Sequence, residues 1–446
     1  MINFAGMELP LPMGNYRWLT VDEIKDLDLL SIDPDGDTCY ILEVDLEYPR
    51  EIHDRHNDYP LAARNRKIDE TEVSPYNQAF LDRNEEQFKS SQKLCPDLYD
   101  KEKYVCSLKN LKLFLQQGMR LKGVRRVFCA DQSPFLAPYI KFNSEKRLGS
   151  TSKFESDFFK LANNSIYGKT IESLRNRTNV DIVKEPGRAK KLTSKPQFKG
   201  FQILDEEITV VQSVKRSLTL NKPIACGFIV LENAKNIMGD FWYNTLKEIY
   251  DDKIKLILSD TDSFVYAVQT EDGYQDLYNI RDKMDLSGYD KSTPLGKFHD
   301  PSNKKVPGMF SDERPKEIIR EVVALKPKMY SLLTKKLTCD QKSGNPDHDC
   351  TSGCVEGYSI TAKGITKSAQ RRITHEDYKS CLNFRETIDK TGTQMTVSNT
   401  IRAYGHKLYT ISINKRGLSA YDDKKYICDD GISTLSHGNY NIPRRQ

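Results

Sequence analysis

Residues 257–266 read ILSDTDSFVY, and no other stretch limits this chain so strongly. Asp260 and Asp262 stand one residue apart, with Ile257 and Leu258 before them and Phe264, Val265 and Tyr266 after. Apolar runs flanking a short polar centre predict two strands joined by a tight turn. Thr261 and Ser263 are the small polar groups that suit such a turn. Two carboxylates this close repel, and without a cation one would be expected to hold its proton. A divalent metal removes the conflict. Metals paired about 3.5–4 Å apart activate an attacking oxygen and steady a leaving one in phosphoryl transfer. An isolated D-x-D is more often a solvated surface turn, so a second feature has to decide.

That feature is residues 160–169, KLANNSIYGK. At about 100° per residue, Lys160, Asn164, Tyr167 and Gly168 share one helix face. The face offers a cation, an amide, a flat ring and a gap. Lysine holds a triphosphate as a point charge, tyrosine packs on a base or sugar, and glycine leaves room for it. A plain amphipathic stripe would explain Tyr167 but not a glycine inside a helix, which costs up to about 1 kcal/mol relative to alanine.

KLANNSIYG and SDTDS, in this order and roughly 90 residues apart, resemble the K-x-x-x-N-S-x-Y-G and D-T-D-S motifs of family B DNA polymerases. KPKMY, with Lys328 and Tyr330, resembles their K-x-Y motif, and ITAKGIT, with Lys363, the segment that follows it. LPMGNYRWL, EVDLEYPREIHDRHNDYPLA and LSAYDDKKYI resemble the protein-primed branch found in viruses and Polinton-type mobile elements. The likeness covers nearly the whole chain.

The resemblance implies an α+β protein with a partial right-hand polymerase fold of palm, fingers and thumb. By it, residues 1–19 are a remnant of the palm start. Residues 20–145 are a palm strand plus the insertion that grips a priming terminal protein. Residues 146–184 are the fingers and 185–222 a second, basic insertion. Residues 223–370 are palm, with the aspartate hairpin and the K-x-Y strand, and 371–446 the thumb. Asp260 and Asp262 become catalytic ligands of two Mg2+ ions, Asp262 the more direct bridge to the nucleotide. Lys160, Asn164, Tyr167 and Gly168 face the incoming deoxynucleoside triphosphate, and Lys328, Tyr330 and Lys363 hold the primer strand of primer-template DNA. The nucleus or a viral factory is the implied setting.

Three departures stand against this pattern. The resemblance implies a D-x-x-x-L-Y strand just before the LPMGNYRWL landmark, but the first aspartate here is Asp22, beyond it. Asp45 in EVDLEYP lies three residues before Tyr48 where the family spacing is five, and Glu43 has the spacing but not the residue type. Ser156 stands where relatives often carry a second lysine, a role left to Arg147 or Lys153. The expectation is therefore a truncated and impaired polymerase copy, a C-terminal fragment without the exonuclease domain and with half its metal site. The alternative is a catalytically inactive, DNA-binding remnant. A reverse transcriptase fits less well, because its hairpin carries adjacent aspartates.

Composition sets the outer bounds. A chain of 446 residues divides into several substructures, and 38% hydrophobic with 29% charged residues supports a folded core. A net charge of +5 is too small to argue for nucleic acid, so the local distribution must carry that point. Lys109, Lys112, Arg120, Lys122, Arg125 and Arg126 form one basic tract and residues 184–200 another, both expected to meet DNA phosphates. Ten cysteines without a repeating frame fit reduced thiols inside a cell. No apolar run reaches membrane-span length, the longest being IACGFIVL, and MINFAGMELPLPMG lacks the pattern of a secretory signal.

Local patterns fill in the rest. CYILEVDLEYP is a strand ended by Pro49. Ser152 and Glu155 fit a capping box opening a helix that runs on through residue 177. VALKPKMYSLL and CVEGYSITAKG are two strands, followed by a helix from about His375 and a hairpin in LYTISINKRGLSAYDDKKYI. Cys339, His348, Cys350 and Cys354 are zinc-type ligands in one segment, although a long solvated loop accounts for them better. His53, His56 and Asp58 look like a polar turn rather than a ligand set, and Asp422, Asp423, Asp429 and Asp430 like solvated turns.

Overall fold

The computed structural model describes residues 6–337, 356–387 and 389–443. The zinc-type set Cys339, His348, Cys350 and Cys354 lies outside the described residues. The seven cysteines within them are free thiols. Among the described residues no helix is long and apolar enough to cross a membrane.

The N-terminal third is built on strict alternation in β2 (Thr38–Glu47). Leu42, Val44 and Leu46 point to the core, while Glu43, Asp45 and Glu47 take the other face. Strands β1 (Leu11–Trp18), β3 (Lys101–Ser107) and β4 (Arg120–Ser133) complete an antiparallel sheet in the order β1-β4-β2-β3. β4 brings the basic tract beside the acidic face of β2. Arg126 Nε lies 2.5 Å from Glu43, Arg125 Nε 2.8 Å from Asp45, and Arg120 3.6 Å from Glu47. Lys122 pairs with Asp100 and Lys109 with Asp35, and Lys112 donates to the carbonyls of Leu30 and Ile32. All six cations expected to meet DNA thus have partners within the chain.

Helix α1 (Leu108–Gln116) backs this sheet, and a helical hairpin of α2 (Ala137–Leu148) and α3 (Lys153–Thr170) follows β4. A buried bond from Asn143 Nδ2 to Asn163 Oδ1, 2.8 Å long, ties α2 to α3. Only half of the expected capping box forms. The Ser152 hydroxyl accepts from Glu155 N–H, but the Glu155 carboxylate takes Thr151 N–H instead. α3 stops at Thr170, short of the expected residue 177, because Thr170 and Ile171 wedge against the next long helix at Gly227.

The expected basic insertion, residues 185–222, supplies β6 (Phe198–Asp205), β7 (Ile208–Val214) and α4 (Pro186–Thr193) to a small antiparallel sheet whose third strand, β5 (Thr178–Val183), falls within the expected fingers. The long helix α5 (Ile224–Phe241) then runs through the middle of the protein and passes into a π-helical turn at Trp242–Leu246. Its apolar face, from Ile229 and Val230 to Phe241, Trp242 and Leu246, joins the N-terminal sheet to the hairpin of β8 (Ile254–Ser259) and β9 (Phe264–Val268).

Beyond it, VALKPKMYSLL is a hairpin rather than one strand. β10 (Glu317–Lys326) turns at Pro327 and Lys328 into β11 (Met329–Lys336), which pairs in turn with β12 (Glu356–Ala362). Proline has no N–H for a ladder and fixes φ, so it belongs at the bend. Helix α6 (His375–Leu382) begins where expected. The long hairpin behind it pairs β13 (Thr393–Tyr404) with β14 (Lys407–Ser419) and bends at Gly405 and His406. The partner of the Leu408 strand therefore precedes it in sequence, and the YDDKKY segment is not part of the ladder.

The cores cross the expected domain boundaries. Tyr76, Phe80 and Leu81, on the helix Pro75–Arg83, pack with Val323, Leu325, Tyr378, Phe384 and Leu418. Asp423 is buried and paired with Lys93, and desolvation pushes the Asp422 carboxyl up to about 6, so neither is a solvated turn. Asp429 and Asp430 are exposed, as expected of one. His53 and His56 are buried on a short helix, bonded to the Tyr48 carbonyl and hydroxyl, so they are neither a polar turn nor ligands.

Candidate active site

The aspartates sit on the four-residue bend between Ser259 and Phe264, which close the β8–β9 ladder. Asp260 N–H donates to Ser263 O at 3.0 Å, and Asp262 N–H to Asp260 O at 2.6 Å. Thr261, between them, has φ +56°. A β-branched residue in the left-handed region is a costly outlier, and such strain gathers at functional sites. The bend is held from below by Phe264, whose ring packs on Tyr59 and Trp242 at 5.3 and 5.4 Å and also touches the α5 cluster of Ala234 and Met238. A lone hairpin is marginal in water, and this one draws its rigidity from that aromatic floor.

A second strained bend reaches it. Lys328, at the β10–β11 turn, has φ +61° and places its Nζ 2.8 Å from Asp260 Oδ1. Lys363 N–H donates to the Lys328 carbonyl at 3.0 Å, and Tyr330 is paired with Thr361 across β11 and β12. The three residues expected at the primer end thus lie near one another in this sheet, and Lys328 among them contacts the aspartate bend. No sequence signal pointed to the Lys328–Asp260 pair.

The third component is the face of α3. Lys160, Asn164 and Gly168 are exposed, and Tyr167 is half-buried. Tyr167 packs on the cluster of Met7, Leu11, Ile140, Ile229 and Val230, and this burial raises its pKa. The amphipathic stripe therefore accounts for that ring. It does not account for Gly168, where an added Cβ would meet nothing within 4 Å. α5 connects this face to the bend. Thr170 and Ile171 close on Gly227, whereas Phe264 packs at Ala234 and Met238. At 1.5 Å per residue those two contacts are about 10–16 Å apart along the helix.

Asp260 and Asp262 are hard oxygen donors of the kind Mg2+ takes, one or two carboxylates completed by waters and phosphate oxygens. Among the described residues no group of three or more His, Cys, Asp or Glu gathers to hold a metal ion. Asp45 is engaged elsewhere, bonded to Arg125 and to Lys103 N–H. Asp58 takes a role that sequence reasoning missed. Its carboxylate accepts Leu256 N–H at 3.0 Å, stopping that side of β8 where a further strand would pair.

The bend of the long hairpin meets the basic insertion, with the His406 ring stacked on Phe201 at 5.5 Å and its Nδ1 accepting Ile203 N–H at 3.2 Å.

The fold is similar to that of Phi29 DNA polymerase. Its complex with primer-template DNA superposes with a TM-score of 0.50 at 15% identity, covering 93% of this chain and 56% of that one. Its ternary complex with incoming nucleotide substrates gives 0.49 at 13% identity, with the same coverages. The chain thus spans just over half the length of the Phi29 enzyme. No protein-family model matches the sequence, and no curated protein does.

Proposed function

We propose that this chain is the palm, fingers and thumb portion of a family B DNA polymerase of the protein-primed type, adding deoxynucleotides to a DNA primer end. The observation that carries the reading is the meeting of two strained bends, one bearing Asp260 and Asp262 and the other Lys328, with a 2.8 Å contact between them. Strained backbone gathers at functional sites, and acidic groups beside a cation suit the charges of phosphoryl transfer.

When bound there, magnesium neutralises the transferring phosphates and makes the primer hydroxyl a better nucleophile. The two carboxylates orient that charge on a rigid bend. Lys160 steadies the triphosphate from α3, Asn164 offers an amide, and the open Gly168 lets a base or sugar approach the helix backbone. Tyr330 and Lys363 hold the primer strand. Residues 20–145 supply the surface for a priming protein. With two carboxylates in the centre, synthesis is slow.

A second reading, DNA binding without synthesis, is favoured by the lack of a third acidic ligand among the described residues. Primer extension with magnesium and all four deoxynucleotides separates the two. Synthesis that disappears in Asp262→Ala, with primer-template binding retained, supports the polymerase. Binding without synthesis supports the second reading, and loss of both ends the case for either.

A further inference from the structure

We propose that Lys328 is the resident cation of the aspartate bend: its ammonium holds Asp260 until a divalent cation binds, and the released lysine then takes a phosphate of the bound DNA strand. The metal half of this exchange rests on the two carboxylates of the bend taking a divalent cation, as proposed above. The DNA half rests on the polymerase reading.

The placement is built in. Pro327 fixes one position of the β10–β11 turn, Lys328 follows at φ +61°, and the Lys328 carbonyl is anchored by Lys363 N–H. The backbone of the turn is thus tied down, while the four-carbon stem of the lysine is free to swing. Its ammonium contacts the same Asp260 oxygen that the Thr261 hydroxyl approaches at 3.4 Å. The charges favour the exchange. One ammonium offsets part of the repulsion between Asp260 and Asp262, so the bend is tolerable without metal. A dication on the same carboxylate would repel the ammonium and weaken that pair. The pair is also easily broken, because its side chains are 43% and 34% exposed and such pairs contribute little. The released ammonium is then an unpaired cation near Tyr330 and Lys363, where a phosphate is the natural acceptor.

The test is a Mn2+ titration of the full chain, following free Mn2+ by electron paramagnetic resonance without DNA or nucleotide. Lys328→Met should bind Mn2+ about 1.5- to fivefold tighter than the parent, the range set by a weak, half-exposed ion pair. Lys328→Gly, which suits the left-handed backbone, should do the same. Lys328→Arg should stay near the parent, Lys363→Met should show much less tightening, and Asp260→Asn should erase the difference. Unchanged or weaker Mn2+ binding in both Lys328→Met and Lys328→Gly overturns the proposal. For the DNA half, Ca2+ should tighten primer-template binding by the parent but not by Lys328→Met. Equal tightening in both overturns that half. Failure of primer extension leaves the Mn2+ result standing, and a negative Mn2+ result leaves primer extension standing, so the two readings fail separately.

Discussion

At the scale of single residues, Gly168 is the sharpest case. Gly168 lies in the last turn of α3, where glycine costs less than the roughly 1 kcal/mol of a helix interior, and nothing among the described residues needs the missing Cβ. Gly168→Ala is therefore expected to stabilise the protein by up to about 1 kcal/mol in chemical denaturation while weakening deoxynucleotide binding. Gain of stability with unchanged nucleotide affinity would remove Gly168 from the site. His56 makes a different prediction. Burial pushes its pKa down to about 3, against about 6.5 in an unfolded chain. Between those values the unfolded state binds more protons, so stability is full above about pH 6.5 and falls as the pH drops towards 3, by up to about 1.4 kcal/mol per pH unit. Melting temperatures taken from about pH 7 to about pH 5 should fall less steeply in His56→Gln than in the parent.

At the scale of elements, α5 decides how the pieces meet. A Cβ at Gly227 would overlap Thr170 and Ile171 at the end of α3. Gly227→Ala should cost about 1–3 kcal/mol by overpacking, and it should lower nucleotide affinity by moving the Lys160 face. Denaturation and nucleotide titration check the two effects separately. The contact between the basic insertion and the long hairpin rests on one ring stack and one hydrogen bond. Removing both with Phe201→Ala and His406→Ala should speed tryptic cleavage at Lys199 and Lys407 without changing the melting temperature. Cleavage at the parent rate would mean that the contact holds nothing shut.

At the scale of the whole molecule, net charge says little and the distribution of charge says more. The tract at 109–126 is neutralised by the acidic face of β2 and by neighbouring acids and carbonyls, whereas Lys190, Lys191 and Lys199 are exposed on the basic insertion. Salt-dependent DNA binding should follow this division. Lys190→Ala and Lys191→Ala should each lower the slope of log K against log salt by about 1, and Lys122→Ala should leave it unchanged. Equal effects at all three positions would restore the first tract as a DNA surface.

What the sequence determined by itself was local. The alternation in CYILEVDLEYP, the Ser152 cap, the start of α6 and the tight turn at DTDS are all set by neighbours within a few residues. The same locality explains the errors. Helical periodicity runs on past Thr170, where α3 ends against α5, and the acidic neighbours of the first basic run come into view only when β4 is seen lying against β2. The pairing of β13 with β14, the burial of Asp423, the link from Asp58 to β8 and the contact of Lys328 with Asp260 join residues from separate parts of the chain. Such contacts depend on how sheets and helices stack around α5, and no short-range pattern encodes that. The sequence named the residues of the candidate site, and the tertiary structure decided which of them touch.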